Sequence, residues 1–295
     1  MASNGAVYEA RSDRMNYKKK NNFRINESTK TLVKWELDIR LVALVEKTNL
    51  ISWKDIGVTH IDCSLLRAFI GKWCKVTNTA RLTIGEMTPM LYDLWHILRI
   101  PVTGEPVTGI RPKDYMAFIM EYLGDCPNDL DEARKYAWGA TTLAFLYRSL
   151  SKVVDEDTYF SGSATLLQCW IYEHIPALGS KPTTITIEMP KVYKWKKQPR
   201  RKDLLTTFDD ISINMVTWQP YEEYSLRDTL SKENTLCRSH LICFNIAEFY
   251  MPDRVLRQFG MMQAIPIGPL KWDRRVKVGL HPTSWIDELS AEISN

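Results

Sequence analysis

Hydrophobic residues recur along most of this chain at the three- and four-residue spacing of helices that bury one face. Helices are predicted over 32–45, 62–74, 90–100, 115–124, 133–154, 163–175 and 204–211. Asp62 or Ser64 is expected to cap the second helix, since both side chains accept hydrogen bonds from free backbone amides. Thr88 followed by Pro89 marks the start of the third. The helix over 133–154 is predicted to turn these residues inward: Trp138, Thr142, Phe145, Leu146 and Leu150.

Shorter stretches have the composition of strands and turns. Residues 80–87 predict a strand, residues 101–109 a small hairpin or a tight loop, and residues 215–221 a strand and a turn. Residues 241–250 fit a strand and a buried helix equally well, because periodicity cannot separate the two in a short apolar run. The predicted fold is therefore mainly α with small β elements (α+β), in a single compact helical domain with short strands or hairpins.

Composition narrows the class of protein. At 295 residues, with 45% hydrophobic residues and ten tryptophans, the chain can build a sizeable core. No apolar run approaches the length of a membrane span, so a soluble intracellular protein is expected, without a membrane partner. The six cysteines are scattered, mostly within apolar runs, which predicts reduced and buried thiols.

Positive charge is concentrated in two polar segments. The net charge is +4, yet residues 181–202 hold eight Lys and Arg against one acid, and residues 1–24 hold six against two. Residues 1–30 are predicted to be a flexible basic tail, 179–203 a basic surface loop and 276–295 a C-terminal tail. The run over 191–202 interleaves cations with aromatic rings, a pattern typical of nucleic-acid contacts. The candidate DNA- or RNA-binding residues are Lys194, Trp195, Lys196, Lys197, Arg200, Arg201 and Lys202. An import signal or a solvated loop is the alternative interpretation.

A second candidate surface lies over residues 252–260. Pro252 suits the first turn of a helix and Gly260 its left-handed end, so a helix of about two turns is predicted. Its polar residues are Arg254, Arg257 and Gln258, and Gln263 follows shortly after it. They are expected to form a structural clamp onto neighbouring acids and carbonyls, which suits the planar guanidinium group. A docking surface for a partner protein or a phosphate backbone is the alternative.

Candidate chemistry is sparse. Cys237, His240 and Cys243 have metal-like spacing, but a structural zinc site needs four ligands and no second close pair follows. Glu173 and Glu248 each lie in an apolar run, which favours buried ion pairs with an arginine such as Arg148, Arg254 or Arg257. We therefore predict no metal, no cofactor, no small-molecule substrate and no enzymatic activity. A degenerate enzyme stays a further alternative.

Several stretches resemble the plant mobile domain family. They are GEMTPMLYDLWHILRIPVTGEPVTG, YAWGATTLAFLYRSL, SGSATLLQCWIYEHIP, VTWQPY and LICFNIAEFYMPDRVLRQFGMMQAIP, in the family's order, and they place the domain at 31–275. The chain departs from the family at 88–95, where it has TPMLYDLW.

The resemblance implies a nuclear, non-catalytic interaction module in transposon silencing, gene-expression control and meristem maintenance. It also implies a protein partner such as a serine/threonine phosphatase-like protein. The alternative function is that of a transposon-derived nucleic-acid-binding protein.

Overall fold

The computed structural model describes these residues: 23–25, 61–107, 135–155, 159–186, 189–195, 208–221, 235–244 and 246–266. The helices predicted over 32–45 and 115–124 lie outside them, as do residues 204–207, most of the N-terminal tail and the whole C-terminal tail. The helix predicted over 204–211 was wrong in its described half, because residues 208–211 form a turn.

The first helix, α1 (Cys63–Ile70), begins where its capping residue predicts. The Asp62 carboxylate accepts a hydrogen bond from the amide of Leu65 at 3.0 Å, which satisfies one of the free amides of the first turn. Leu65, Leu66 and Phe69 are fully buried on one face. The predicted cap is therefore confirmed, and the helix is confirmed as far as Ile70. The prediction was wrong at its end, because Trp73 and Cys74 lie in a strand.

A three-stranded antiparallel sheet follows α1. Its strands are β2 (Trp73–Cys74), β3 (Thr79–Leu82) and β4 (Gly85–Met87), in the order β2-β3-β4. The prediction of one strand over 80–87 was wrong, because Gly85 adopts a φ of 124° and turns the chain back on itself.

Helix α2 (Leu91–Leu98) starts at a different residue from the one predicted. The Asp93 carboxylate accepts from the amide of Met90 at 2.7 Å and closes the first turn. Thr88 does not cap this helix, because its hydroxyl donates to the carbonyl of Asn78 at 2.7 Å. Thr88 instead ties the sheet to the turn between β2 and β3.

Helices α3 (Trp138–Val154) and α4 (Ala164–His174) are the two longest helices of the described part, and both contribute to the core. Every residue of α4 is buried, and Ser163 caps it by accepting from the amide of Leu166. The inward face predicted for α3 was wrong in part: Phe145 is 39% exposed. Arg148, which was not among the residues predicted to face inward, is buried.

The apolar run over 241–250 forms a hairpin. Strands β6 (Ser239–Cys243) and β7 (Ile246–Tyr250) pair antiparallel, with Leu241 opposite Glu248. A third sheet consists of two parallel strands, β1 (Arg24–Ile25) and β5 (Tyr159–Phe160).

The remaining elements of the described part are short. They are 3₁₀ turns over Pro176–Leu178, Lys191–Lys194, Ile213–Met215 and Pro252–Phe259. The strand predicted over 215–221 was wrong, because the 3₁₀ turn covers its start and the rest has no regular structure. Glu105 and Val107 form isolated parallel bridges with Tyr136 and Cys243, so the described part of 101–109 is a loop. The predicted fold class, mainly α with small β elements, is confirmed.

A buried ion pair joins α3 to the β6–β7 hairpin. The Arg148 guanidinium donates through Nε to Glu248 and through Nη2 to the carbonyl of Ala247 at 3.2 Å. Glu248 is 0% exposed, and Asn78 donates to its other oxygen at 3.3 Å. The burial of this glutamate and its pairing with Arg148 agree with the prediction from its apolar surroundings.

Replacement of Glu248 by alanine is expected to lower the free energy of unfolding by about 3–5 kcal/mol, because Arg148 is left buried without its counter-charge. Urea unfolding followed by circular dichroism measures the change. The double variant Arg148→Met/Glu248→Leu is expected to recover most of the loss, since it removes both charges.

The matched control is Asp155→Ala, which breaks the ion pair with Lys75 on the surface and is expected to cost less than about 1 kcal/mol. A Glu248→Ala variant as stable as this control would contradict the role of the buried pair.

Candidate functional site

The described part of the basic run is the 3₁₀ turn Lys191–Lys194 and the residue after it, Trp195. The other predicted nucleic-acid-binding residues lie outside the described residues: Lys196, Lys197, Arg200, Arg201 and Lys202.

Trp195 anchors the start of the basic run in the core. Its indole N–H donates to Glu173 Oε1 at 2.6 Å, and its side chain is 2% exposed. Its ring also packs against Tyr172, with ring centroids 5.3 Å apart. A buried ring cannot stack on a base in this arrangement, so the proposed stacking role of Trp195 is corrected to an anchoring role.

Lys194 lies at the boundary between this anchor and the solvent. Its ammonium is 3.0 Å from Glu173 Oε1, and 26% of its side chain is exposed. Its carbonyl accepts from the amide of Thr183 at 2.8 Å, which joins the turn to the preceding segment. Glu173, predicted to be buried, therefore has two donors from the basic run instead of an arginine.

Residues Pro252–Phe259 form a 3₁₀ segment with an interruption instead of the predicted regular helix. Val255 has a φ of −132° and a ψ of 36°, which breaks the helical path, and its side chain is buried. Gly260 ends the segment with a φ of 70°, as predicted. Gln258 is buried, so it does not lie on a solvent-facing polar side.

Two arginines of this segment bind the β3–β4 hairpin. Arg254 donates through Nε and Nη2 to the two oxygens of Glu86, each at 2.7 Å. Partial burial opposes the charged form of Glu86, but the hydrogen bond and charge of Arg254 outweigh it and hold the pKa of this carboxyl below its ordinary value. Arg257 donates to the carbonyl of Ile84 at 2.8 Å, and its guanidinium is 5.7 Å from the ring centroid of Trp218.

Gln258 completes the contact through a two-way amide pairing. Its oxygen accepts from the amide of Thr88 at 3.0 Å, and its nitrogen donates to the carbonyl of Thr88 at 2.9 Å. Gln263 is placed elsewhere, since it donates to the carbonyls of Asp253 and Ala264 and closes its own segment. We name Arg254, Arg257 and Gln258 the C-terminal clamp.

A buried histidine cluster was missed in the sequence, because its members lie far apart along the chain. His174 Nε2 is 3.0 Å from Asp93 Oδ1, and His174 Nδ1 is 3.0 Å from the carbonyl oxygen of Thr217. A carbonyl accepts only, so Nδ1 donates to Thr217, and Nε2 forms the hydrogen bond with the Asp93 carboxyl group. Both ring nitrogens are thus engaged, which leaves neither as a general base in this arrangement. A cavity of about 10 Å³ beside Asp93, with room for about one water molecule, is partly lined by Tyr221.

His96 lies next to this cluster and is stacked on Tyr221, with ring centroids 4.4 Å apart and planes 10° from parallel. Burial, together with the charges of Arg99 and Lys191, lowers the pKa of His96 to about 3. His96 is therefore neutral at physiological pH.

The three residues with metal-like spacing differ in their surroundings. Cys237 is exposed, His240 is half-buried and Cys243 is buried at the end of β6. Burial raises the pKa of the Cys243 thiol to about 11, so it is protonated at neutral pH. Among the described residues, no group of three or more His, Cys, Asp or Glu side chains is placed to hold a metal ion.

Within the same ranges, none of the helices is long and apolar enough to cross a membrane.

Comparisons with known proteins agree with the resemblance. The model of the plant mobile domain matches residues 112–294, more than half of the chain. The chain is 28% identical to Protein MAINTENANCE OF MERISTEMS of Arabidopsis thaliana, over 82% of this chain and 66% of that protein. It is also 28% identical to Protein MAIN-LIKE 1 of the same plant, over 85% of this chain and 64% of that protein.

A third relative from Arabidopsis thaliana is the Serine/threonine-protein phosphatase 7 long form homolog. It is 25% identical over 79% of this chain and 24% of its own length. This chain therefore spans less than two thirds of the length of each of the three relatives. No solved structure matches the chain.

Replacement of Gln258 by glutamate tests the C-terminal clamp with almost no change in shape. At pH 7 the carboxylate cannot donate to the Thr88 carbonyl, so we expect a loss of about 1–3 kcal/mol in the free energy of unfolding. The protonated carboxyl group can donate, so folding raises its pKa and the folded state binds more protons. The loss is therefore expected to shrink as the pH falls from 7 towards 4.5.

Thermal and urea unfolding of the variant and the parent protein at several pH values measures this difference. The control Gln263→Glu changes an amide outside the clamp and is expected to have a smaller effect. A pH-independent difference for Gln258→Glu would contradict the pairing with Thr88.

Proposed function

This chain belongs to the plant mobile domain family, and we propose that it is a non-catalytic nuclear module that acts by binding other proteins. Its proposed role is the control of gene expression, the silencing of transposons and the maintenance of meristems. The observation that carries the proposal is the similarity to Protein MAINTENANCE OF MERISTEMS over 82% of this chain.

The use of buried polar groups supports a non-catalytic role. Asp93, Glu173 and Glu248 each accept hydrogen bonds from their own donors. His174 uses both ring nitrogens within its cluster. These groups join packed segments of the fold to one another. Such structural roles are typical of a rigid scaffold that binds partners through its surface.

The phosphatase relative supports the proposed kind of partner. A region similar to this chain covers 24% of that longer protein, so the rest of that polypeptide adjoins a region of this type. We therefore propose a serine/threonine phosphatase-like protein as a partner of this chain.

Nucleic-acid binding is the second candidate function, and the basic run supports it. Residues 181–202 hold eight Lys and Arg against one acid, and Trp195 anchors the start of the run through Glu173. Cations that contact phosphates give binding that weakens steeply with salt. Because Trp195 is anchored, the basic run begins at a fixed position on the protein.

The first proposal predicts nuclear accumulation and direct binding to a phosphatase-like protein. Calorimetric titration of the purified chain with a recombinant phosphatase-like protein is expected to give a defined stoichiometry, and a fluorescent fusion is expected to accumulate in plant nuclei. The variant Gln258→Glu tests whether this binding depends on the C-terminal clamp. The variant Lys75→Ala, a surface change away from the clamp, is its control. A fusion excluded from nuclei, together with no heat of binding for the folded protein, would overturn the proposal.

A further inference from the structure

The chain leaves the C-terminal clamp through a short segment whose large apolar side chains lie in solvent. Residues 261–266 have no regular secondary structure, and Met262 and Ile265 are 92% and 96% exposed. Met261 is exposed as well, whereas the next most exposed large apolar side chain of the described residues is Val76, at 60%. Isolated apolar residues are ordinary on a protein surface, but a run of five residues with three of them in water is typical of a binding site.

Hydrogen bonds fix the backbone of this segment on the protein. The amide of Met261 donates to the carbonyl of Leu256 at 3.0 Å. The Gln263 side chain donates through Nε2 to the carbonyl of Asp253 at 2.9 Å and to that of Ala264 at 3.0 Å. The segment is therefore pre-organised, and it loses less conformational entropy on binding a partner than an unstructured peptide would.

A positive charge lies at the start of this segment. The amide of Gly260 donates to the carbonyl of Arg257 at 3.0 Å, so the segment begins next to this arginine. Arg257 is exposed, and its guanidinium is 5.7 Å from the ring centroid of Trp218. Glu86, the acid of the adjacent hairpin, is bound through both oxygens to Arg254, and Arg257 has no carboxylate partner within the described part of the chain. The charge of Arg257 therefore complements an acidic group on a partner.

The spacing of the two most exposed side chains limits the kind of site that receives them. Three residues span at most about 11 Å, so Met262 and Ile265 fit one continuous groove. Methionine suits such a groove, because its flexible thioether side chain adapts to the shape of an apolar surface.

We propose that residues 261–265, here named the docking segment, insert Met262 and Ile265 into an apolar groove of a partner protein, while a carboxylate at the rim of that groove pairs with Arg257. The apolar contacts supply most of the affinity, and the charge pair supplies specificity and speeds association. This inference rests on the proposed function, since it names the surface through which this chain binds the phosphatase-like protein.

The test is a calorimetric titration of the full chain with a recombinant phosphatase-like protein. The double variant Met262→Ser/Ile265→Ser is expected to lower the affinity by about tenfold or more, because two apolar side chains no longer leave water on binding. Both side chains are exposed, so the thermal unfolding of this variant is expected to match that of the parent. The matched control Val76→Ser/Met189→Ser changes two exposed apolar residues outside the docking segment and is expected to bind as the parent does.

The parent protein and the double variant separate the two levels of the proposal. If the parent does not bind the phosphatase-like protein, the proposed partner and this inference both fail. If the parent binds and Met262→Ser/Ile265→Ser binds equally tightly, the proposed partner stands and this inference is overturned.

The variant Arg257→Gln tests the charge pair separately. Glutamine can still donate to the carbonyl of Ile84, so the change removes the charge and keeps a donor at this position. Binding of the parent is expected to weaken as the salt concentration rises, and binding of the variant is expected to be weaker at low salt and to depend less on salt. An equal dependence on salt in both proteins would contradict the pairing of Arg257 with a carboxylate.

Methionine oxidation gives a readout that needs no variant. Hydrogen peroxide transfers one oxygen atom to the sulfur of an exposed methionine and is itself reduced to water. Bound phosphatase-like protein is expected to slow the oxidation of Met262 by about threefold or more and to leave the rate at Met189 unchanged. Equal rates at Met262 with and without saturating partner would contradict the docking segment. Protection of Met262 when this chain alone is concentrated would show that a second copy occupies the segment, which would also overturn the proposal.

Discussion

The fold depends on one constraint, which is that helix α4 is buried on every side and must satisfy its polar side chains inside the protein. Three of them, Gln168, Glu173 and His174, bind different segments. Gln168 accepts from the amide of Asp62 at 2.6 Å, which fixes the start of α1. Glu173 accepts from Trp195 and fixes the basic run, and His174 bridges Asp93 and the segment around Thr217. Because an unpaired buried polar group costs free energy, these contacts hold the surface segments in defined places.

The same principle operates at the β3–β4 hairpin, which receives the C-terminal clamp. Arg254 and Gln258 come from a segment more than 160 positions away and bind Glu86 and the backbone of Thr88. The surface of the protein is thus built from distant segments that are tied to a helical core by polar contacts. A scaffold of this kind suits the proposed function, because it can present a basic run and a C-terminal segment to partners without internal rearrangement.

The sequence predicted features that depend on local chemistry. The cap at Asp62, the helix over 163–175 and the left-handed Gly260 follow from residue type and spacing. Burial of Trp195 could not be predicted, because it is surrounded in sequence by lysines and its acceptor, Glu173, is 22 positions away. The β6–β7 turn was also hidden, since it uses Phe244 with a φ of 53°, where an aromatic residue is a poor signal for a turn. The β3–β4 turn did have a local signal in Gly85, which the prediction of one strand overlooked. Contacts such as His174 with Asp93 join residues that no local pattern relates.

Amide hydrogen exchange of the variant Glu173→Met tests the central role of α4 most directly. Methionine keeps the volume of Glu173 but removes both oxygens that bind Trp195 and Lys194. Exchange is expected to become faster at Thr183, whose amide donates to the Lys194 carbonyl, and over 191–195, while 62–66 keeps its protection. The converse variant Gln168→Met is expected to affect 62–66 and to spare 191–195. Unchanged exchange at Thr183, or an equal loss of protection in all segments, would contradict the account.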